Sequence, residues 1–147
     1  MKKAQNFLVL VGALLIFMFG PLTEIYANSF DNDPNYVKFD QNETYSYYYD
    51  KSSIKCTRYD PPYYAMNVTI VAWGYEQNEY MIRDEIFLYD FNTKRVINSV
   101  VRSALYSSDG SFLTESTDRD SYEIYPNTNG AFMANLIFIS YFGSSFY

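Results

Sequence analysis

Histidine is absent from the 147-residue chain, and cysteine occurs only once, at Cys56. Without histidine the chain lacks Ser-His-Asp and Cys-His catalytic arrangements, the commonest metal ligand and the usual neutral-pH switch. A single cysteine excludes a disulfide within the chain, so Cys56 is either buried and inert or paired with a second chain. We expect the buried, inert role.

Basic residues are also few, with 11 Lys and Arg against 17 Asp and Glu and a formal net charge of −6. An acidic surface repels polyanions, so nucleic acid and anionic lipid are not expected as partners.

The N-terminus has the pattern of a signal peptide over residues 1–27. Lys2 and Lys3 precede an apolar run from Phe7 to Phe19, and Ala27 is a suitable last residue before cleavage. The apolar run is shorter than the roughly 20 residues of a bilayer span, although an uncleaved anchor is the alternative. We therefore expect a secreted, periplasmic or cell-surface protein, without a membrane span after signal removal.

The remaining chain alternates runs rich in Tyr, Val and Ile with turn signals, which is typical of antiparallel strands. Residues 28–35 are polar and predict a flexible arm, and residues 36–147 fit one domain. Asp50 is placed to accept backbone hydrogen bonds from Ser52 and Ser53 and so end a strand. Asp109-Gly110 predicts a hairpin turn.

Alternation within strands suggests which tyrosines face a core. Tyr45, Tyr47 and Tyr49 share one face of a strand, so Tyr48 is expected on the exposed opposite face. In the run 80–89, the set beginning at Tyr80 is more apolar than the set beginning at Met81. Asp60-Pro61-Pro62 argues against a central strand and predicts a loop carrying Tyr63 and Tyr64. The candidate ligand-binding residues are Tyr48, Tyr63 and Tyr64.

The C-terminal segment after Glu123 contains no charged residue. Thr128 or Asn129 is a suitable N-cap, and Gly143 stands where a helix C-cap belongs, so we predict a helix over 131–142. A strand over 136–142 is the alternative. The predicted fold class is α+β, an antiparallel sheet of about six strands with one C-terminal helix packed on it.

Carboxylates are the only catalytic groups present in number, and they are not arranged as a pair. Neighbouring strand residues point to opposite faces, which separates Asp84 from Glu85. The segment 116–120 reads as a solvated loop. We therefore predict no enzyme activity; the carboxylates considered are Asp84, Glu85, Asp118, Asp120 and Glu123.

Residues Asp31, Asp33 and Asn35 have the opening spacing of a calcium loop. Tyr36 stands where such a loop requires glycine, and Asn42 stands where it requires a bidentate Glu. Neither a metal site nor a cofactor is therefore predicted.

Five motifs follow one another along the chain. They are Tyr-Tyr-Asp-x-Ser-Ser-Ile at 48–54, a Val/Ile-rich strand bearing Trp73, Tyr-Asp-Phe-Asn-Thr-Lys at 89–94, Asp109-Gly110, and Pro126 before the predicted helix. This order of motifs resembles the surface-adhesin E family of small bacterial secreted proteins, over about residues 36–142. Two positions depart from the family pattern: Lys51 replaces a usual Pro, and Tyr36 replaces a usual Trp. The resemblance implies an antiparallel sheet with a C-terminal helix, and adhesion to host extracellular-matrix proteins for the members that name the family.

These observations predict a secreted or surface-associated bacterial binding protein, adhesin-like towards a host extracellular-matrix protein. The alternative is a periplasmic or envelope structural protein that binds an envelope component or forms a homodimer. The uncharged C-terminal segment and the tyrosine-rich strands are the surfaces expected in such a dimer.

Overall fold

The computed structural model describes residues 28–147, and the predicted signal peptide lies outside them. Within this range the chain forms one eight-stranded antiparallel sheet and one α-helix, α1, packed on it, which confirms the α+β class. Helix α1 covers Asn129–Phe142, so the strand alternative for 136–142 is wrong. The strands are β1 Tyr36–Gln41, β2 Tyr45–Asp50, β3 Lys55–Asp60, β4 Tyr63–Gly74, β5 Glu79–Asp90, β6 Arg95–Ser107, β7 Phe112–Ser116 and β8 Asp120–Ile124.

Three long strands, β4, β5 and β6, form the centre of the sheet. On the free side of β4, β3 pairs with residues 63–67 and β2 pairs with residues 70–74, and β1 pairs with β2. On the free side of β6, β8 pairs with residues 96–100 and β7 with residues 103–106. β4 and β6 are therefore each paired with two short strands on the side away from β5.

Local chemistry ends the elements largely where the sequence predicts. The Ser52 amide donates to Asp50 Oδ1 at 2.8 Å, whereas Ser53 bonds through its hydroxyl to the Asp50 carbonyl. Thr128 caps α1 by accepting from the Ala131 amide at 3.2 Å. Gly143 ends the helix with a φ of 70°, a conformation that favours glycine.

Strand β3 corrects the prediction of a loop around Asp60-Pro61-Pro62. Both prolines lie in the tight turn between β3 and β4, where no ladder hydrogen bond is required of them, and Asp60 pairs directly with Tyr63. Tyr63 and Tyr64 therefore belong to a strand. This strand and the division of the remaining chain give eight strands where about six were predicted.

One face of the sheet, the inner face, is covered by α1. In β5 the buried inner-face residues are Glu85, Phe87 and Tyr89, so the more apolar alternating set of that strand lies on the opposite, outer face. The Tyr89 hydroxyl donates to the Ala134 carbonyl at 2.8 Å. The inner core comprises Tyr49, Met66, Val68, Ile70, Phe87, Tyr89, Val96 and Ile124 from the sheet and Ala131, Met133, Ala134, Ile137, Phe138 and Phe146 from the C-terminal segment.

The outer face is partly covered by the N-terminal arm, residues 28–35. A short 3-10 turn, Ser29–Asp31, places the Phe30 ring against Tyr36, Trp73 and Tyr80, with ring centroids 4.8, 6.1 and 5.3 Å away. The arm is therefore packed on a second hydrophobic cluster formed by Tyr48, Val71 and Trp73.

Candidate binding surfaces

The surface around Tyr63, on the outer face, combines exposed aromatic, aliphatic and basic side chains. Tyr63 is 41% exposed and Leu88 is 42% exposed. The Arg58 guanidinium lies 5.2 Å from the centroid of the Tyr63 ring, within cation–π range. We call this surface the Tyr63 patch; it comprises Arg58, Tyr63, Leu88, Arg95 and Ile97, which line a shallow cavity of about 220 Å³.

Ion pairs hold both arginines of the Tyr63 patch at its rim. Arg58 Nη2 lies 2.7 Å from Asp60 Oδ2. Arg95 pairs with both carboxylate oxygens of Glu123, at 2.7 and 2.8 Å. This bidentate bond raises the pKa of Arg95 and lowers the pKa of Glu123. The rim is therefore preorganised around the exposed Tyr63 and Leu88.

Tyr48, the first predicted ligand-binding residue, is 1% exposed, so the prediction that it faces solvent is wrong. Its hydroxyl donates to Asp31 Oδ1 at 2.9 Å and accepts from the Asn28 side chain. Phe30 packs beside the ring at 5.9 Å. Alternation placed Tyr48 correctly on the outer face, but it could not show that the arm covers that face.

Tyr63 and Tyr64 point to opposite faces because they are consecutive strand residues. The Tyr64 ring packs edge-on against Phe138 and Phe142 of α1, at 5.6 and 5.4 Å. Tyr64 reaches the Tyr63 patch only at the border of its cavity. Of the three predicted residues, Tyr63 is thus the one with a strongly exposed ring.

A second recess lies on the inner face, beyond the part of β4 that α1 covers. Ile70 is the last β4 residue of the inner core, and the same face continues with Ala72 and Gly74. We call this recess the inner-face cleft; its volume is about 220 Å³. It is lined by Tyr45, Tyr47, Ala72, Gly74, Gln77, Glu79, Met81, Arg83 and Leu105.

A buried polar cluster adjoins the inner-face cleft. Glu85 and Asn98 are buried, and Asn98 Nδ2 donates to Glu85 Oε2 at 2.7 Å. Arg83 Nη2 lies 2.8 Å from Glu85 Oε1, close enough for an ion pair although not aligned as a hydrogen bond. Burial raises the pKa of Glu85, against the opposing effects of the Arg83 charge and the Asn98 bond.

Three polar atoms of this cluster have no hydrogen-bond partner within residues 28–147. They are Arg83 Nε, Glu85 Oε1 and Asn98 Oδ1. Buried polar atoms are usually paired, so such atoms mark a place where water or a ligand can bind. The sequence analysis missed this cluster; the recurrence of Arg83 and Glu85 on the same strand face as Phe87 and Tyr89 was the available signal.

The other carboxylates that could act as catalytic groups are either separated from one another or bound to other side chains. Asp84 and Glu85 point to opposite faces, as predicted; Asp84 lies on the outer face, where it accepts from Thr69 at 3.0 Å and pairs with Arg102 at 3.2 Å. Asp118 and Asp120 are exposed, and Glu123 is bound to Arg95. In residues 28–147 there is no group of three or more Cys, Asp or Glu side chains that could hold a metal ion.

The solvent-facing side of α1 forms a third surface. Phe132 and Ile139, seven residues apart, are exposed there, and no charged residue occurs in the helix. We call this surface the exposed helix face. No helix within residues 28–147 is long and apolar enough to cross a membrane.

Cys56, the single cysteine, is half-buried and packs at the border of the inner core. Its Sγ lies 3.1 Å from the Arg58 carbonyl.

No protein-family model, curated protein or solved structure matches the chain.

Proposed function

We propose that the protein is a secreted or surface-associated bacterial binding protein that attaches to a host extracellular-matrix protein through the Tyr63 patch. The observation that carries this proposal is the exposed Tyr63 ring, with the Arg58 guanidinium 5.2 Å from its centroid and the exposed Leu88 beside it. Tyr and Arg are the residues most often found at the energetic centres of protein interfaces.

The geometry of the patch favours binding to a protein surface. Its cavity of about 220 Å³ is shallow, and Tyr63 and Leu88 beside it are 41% and 42% exposed, so a flat partner surface can reach both side chains. Tyr63 is fixed in β4, so little conformational entropy is lost when a partner covers its ring. The resemblance to the surface-adhesin E family supports a matrix protein as that partner.

The experiment is a binding assay with residues 28–147 on immobilised laminin and vitronectin, with envelope polysaccharide as a further surface, at physiological salt. The proposal predicts saturable binding to a matrix protein that is lost when the domain is unfolded by heat. Saturable binding to envelope polysaccharide alone, or no binding to any surface, would contradict it.

A second candidate function is self-association through the exposed helix face, as expected of an envelope structural protein. The supporting observation is that Phe132 and Ile139 are exposed on one side of a helix without charge, so two copies meet there without like-charge repulsion. Light scattering of residues 28–147 tests it. A dimer mass that becomes monomeric in Phe132→Glu supports the candidate, and a monomer at micromolar concentration rejects it.

A further inference from the structure

The inner-face cleft has the form of a trough across four strands. Its floor is Ala72 and Gly74 of β4 with Met81 of β5, and its walls are tyrosines of β2 on one side and Leu105 of β6 on the other. A Cβ at Gly74 would lie 3.0 Å from Gln77 Oε1 and 3.1 Å from Tyr45 Cε1. The absence of a side chain at Gly74 therefore lets Gln77 and Tyr45 approach the floor closely.

Polar groups occur at both ends of this trough. Arg83 lines the cleft, and its side chain is 29% exposed, so its guanidinium can donate to a ligand there. Glu79 takes part in none of the salt bridges of the same range. Met81 lies between them on the same strand face, and the rise of a strand separates the two backbones by roughly 13 Å. A donor and an acceptor thus flank an apolar floor.

The wall of the cleft supplies aromatic surface. The rings of Tyr45 and Tyr47 lie side by side, with centroids 6.1 Å apart and planes inclined by 43°. An aromatic face packs well against a ring that carries C–H groups on its flat side and hydroxyl groups at its rim. The tyrosine hydroxyls and the Gln77 amide can both donate and accept hydrogen bonds, which suits such a rim.

Charge argues for a neutral occupant. The Arg83 charge is balanced by Glu85 at 2.8 Å, so the cleft holds no free basic group to attract an anion. Loss of Lys2, Lys3 and Glu24 with residues 1–27 takes the formal charge from −6 to −7, which repels anions further. A cation could pair with Glu79 but would leave the Arg83 guanidinium without an acceptor in the cleft, whereas the hydroxyl groups of a neutral ligand can serve both. The volume of about 220 Å³ is below the usual range of ligand pockets and suits a single small ring.

We propose that the inner-face cleft binds one neutral pyranose ring, with its apolar side on Tyr45, Tyr47 and Met81. The Arg83 guanidinium donates to one hydroxyl oxygen and Glu79 accepts from a hydroxyl at the opposite end. This site lies on the inner face, whereas the Tyr63 patch lies on the outer face, so the two proposals stand or fall separately.

The test is saturation-transfer NMR of residues 28–147 with glucose, galactose and N-acetylglucosamine, each as the free sugar and as the methyl glycoside. We expect millimolar binding of at least one of these sugars. Equal binding of the methyl glycoside identifies the terminal unit of a glycan as the ligand, and preference for the free form identifies a monosaccharide. Either result supports a pyranose site.

Two variants assign the signal to the cleft. Ala72→Leu fills its floor without removing a core contact, and Tyr47→Ala removes part of its wall. Each is expected to weaken sugar binding by about tenfold or more, because the ring loses its contact surface. Tyr125→Ala, at a tyrosine that is 66% exposed and outside the cleft, is expected to bind as the wild type does.

Circular dichroism and the unfolding midpoint of each variant establish that it is folded. Three results would overturn the proposal: no signal from any of the sugars, a sugar signal that persists in both folded cleft variants, or binding of free lysine or glutamate in place of every sugar.

Discussion

The Tyr89 hydroxyl, buried in β5, donates a 2.8 Å hydrogen bond to the carbonyl of Ala134 in the middle of α1. This bond joins the centre of the sheet to the helix across the inner core, where water does not compete. Burial raises the pKa of Tyr89 well above its ordinary value, so the hydroxyl remains a donor at neutral pH.

Replacing Tyr89 with Phe keeps the ring and removes this bond. We expect Tyr89→Phe to lower the free energy of unfolding by about 1–2 kcal/mol, the usual effect of losing a buried hydrogen bond. Urea denaturation followed by circular dichroism measures the change. Tyr49→Phe is the matched control, because its hydroxyl meets Ser140 Oγ at 3.0 Å in a less buried place and should cost less. Equal stability of Tyr89→Phe and the wild type would contradict the role of this bond.

Phe30 is expected to shield Trp73, the only tryptophan in the chain. Phe30→Ala removes the ring that packs on it, so we expect red-shifted tryptophan emission and stronger quenching by acrylamide. Loss of the ring should also cost about 1–2 kcal/mol of unfolding free energy, because the ring is only partly buried. Fluorescence under native conditions provides the measurement.

Phe112→Ala is the control for Phe30→Ala. Phe112 is exposed, and its ring centroid lies 5.7 Å from that of Tyr106. Its removal should leave Trp73 emission unchanged. If Phe30→Ala also leaves emission unchanged, the arm does not cover Trp73 in solution.

The ends of α1 could be predicted from single residues, because capping depends on local chemistry. Thr128 and Gly143 perform the roles that the sequence assigns to them, and the Asp109-Gly110 turn joins β6 to β7 as predicted. Burial by distant segments could not be predicted in this way. Tyr48 is covered by Phe30, which lies 18 positions earlier in the chain. The alternation of residues within β2 therefore gives no information about this contact.

Local sequence patterns could not predict the inner-face cleft either, because its lining residues come from four different strands: Tyr45, Gly74, Met81 and Leu105. The burial of Glu85 was not predicted because a charged residue usually faces water, whereas here Arg83 and Asn98 pair with it inside the protein. Both the cleft and the buried Glu85 depend on side chains that strand pairing brings together, and residue propensities do not indicate that pairing.

Thr128→Ala is expected to destabilise the protein by about 1 kcal/mol, because the Ala131 amide loses its capping acceptor. Thr128→Ser keeps the hydroxyl and should stay close to the wild type. Thermal or urea unfolding of the two variants side by side measures the difference. If both variants lose the same stability, the cap does not contribute through its hydroxyl.

Glu85 should make the protein less stable as the pH rises. Burial raises its folded-state pKa above the ordinary value of 4.5, so the folded protein binds this proton more tightly than the unfolded chain does. The stability that depends on the protonated carboxyl is complete below about pH 4.5 and is lost as the pH rises through the folded pKa. We expect the unfolding free energy of Glu85→Gln, relative to the wild type, to increase over this interval.

The pH-dependent difference is the measurement, because replacing Glu85 by Gln also changes local packing and hydrogen bonding by an amount that does not depend on pH. Glu123→Gln is the control of opposite sign. Arg95 lowers the pKa of Glu123, so that carboxylate stabilises the fold above its unfolded pKa and loses this effect as the pH falls. Relative to the wild type, Glu123→Gln should therefore become less stable as the pH rises. A Glu85→Gln curve parallel to that of the wild type would refute the assignment.

The central claim, attachment through the Tyr63 patch, is tested most directly by the affinity of a double variant for the matrix protein that the wild type binds. Tyr63→Ala with Leu88→Ala removes both exposed side chains at the centre of the patch and leaves the inner core intact. The matched control is Tyr125→Ala with Leu113→Ala, which removes side chains of the same types that are 66% and 46% exposed outside the patch. We expect the patch variant, still folded by circular dichroism, to lose about tenfold or more in affinity, as at interface hot spots, while the control binds as the wild type does. Wild-type affinity in the folded patch variant, or equal losses in both variants, would show that attachment does not occur through Tyr63.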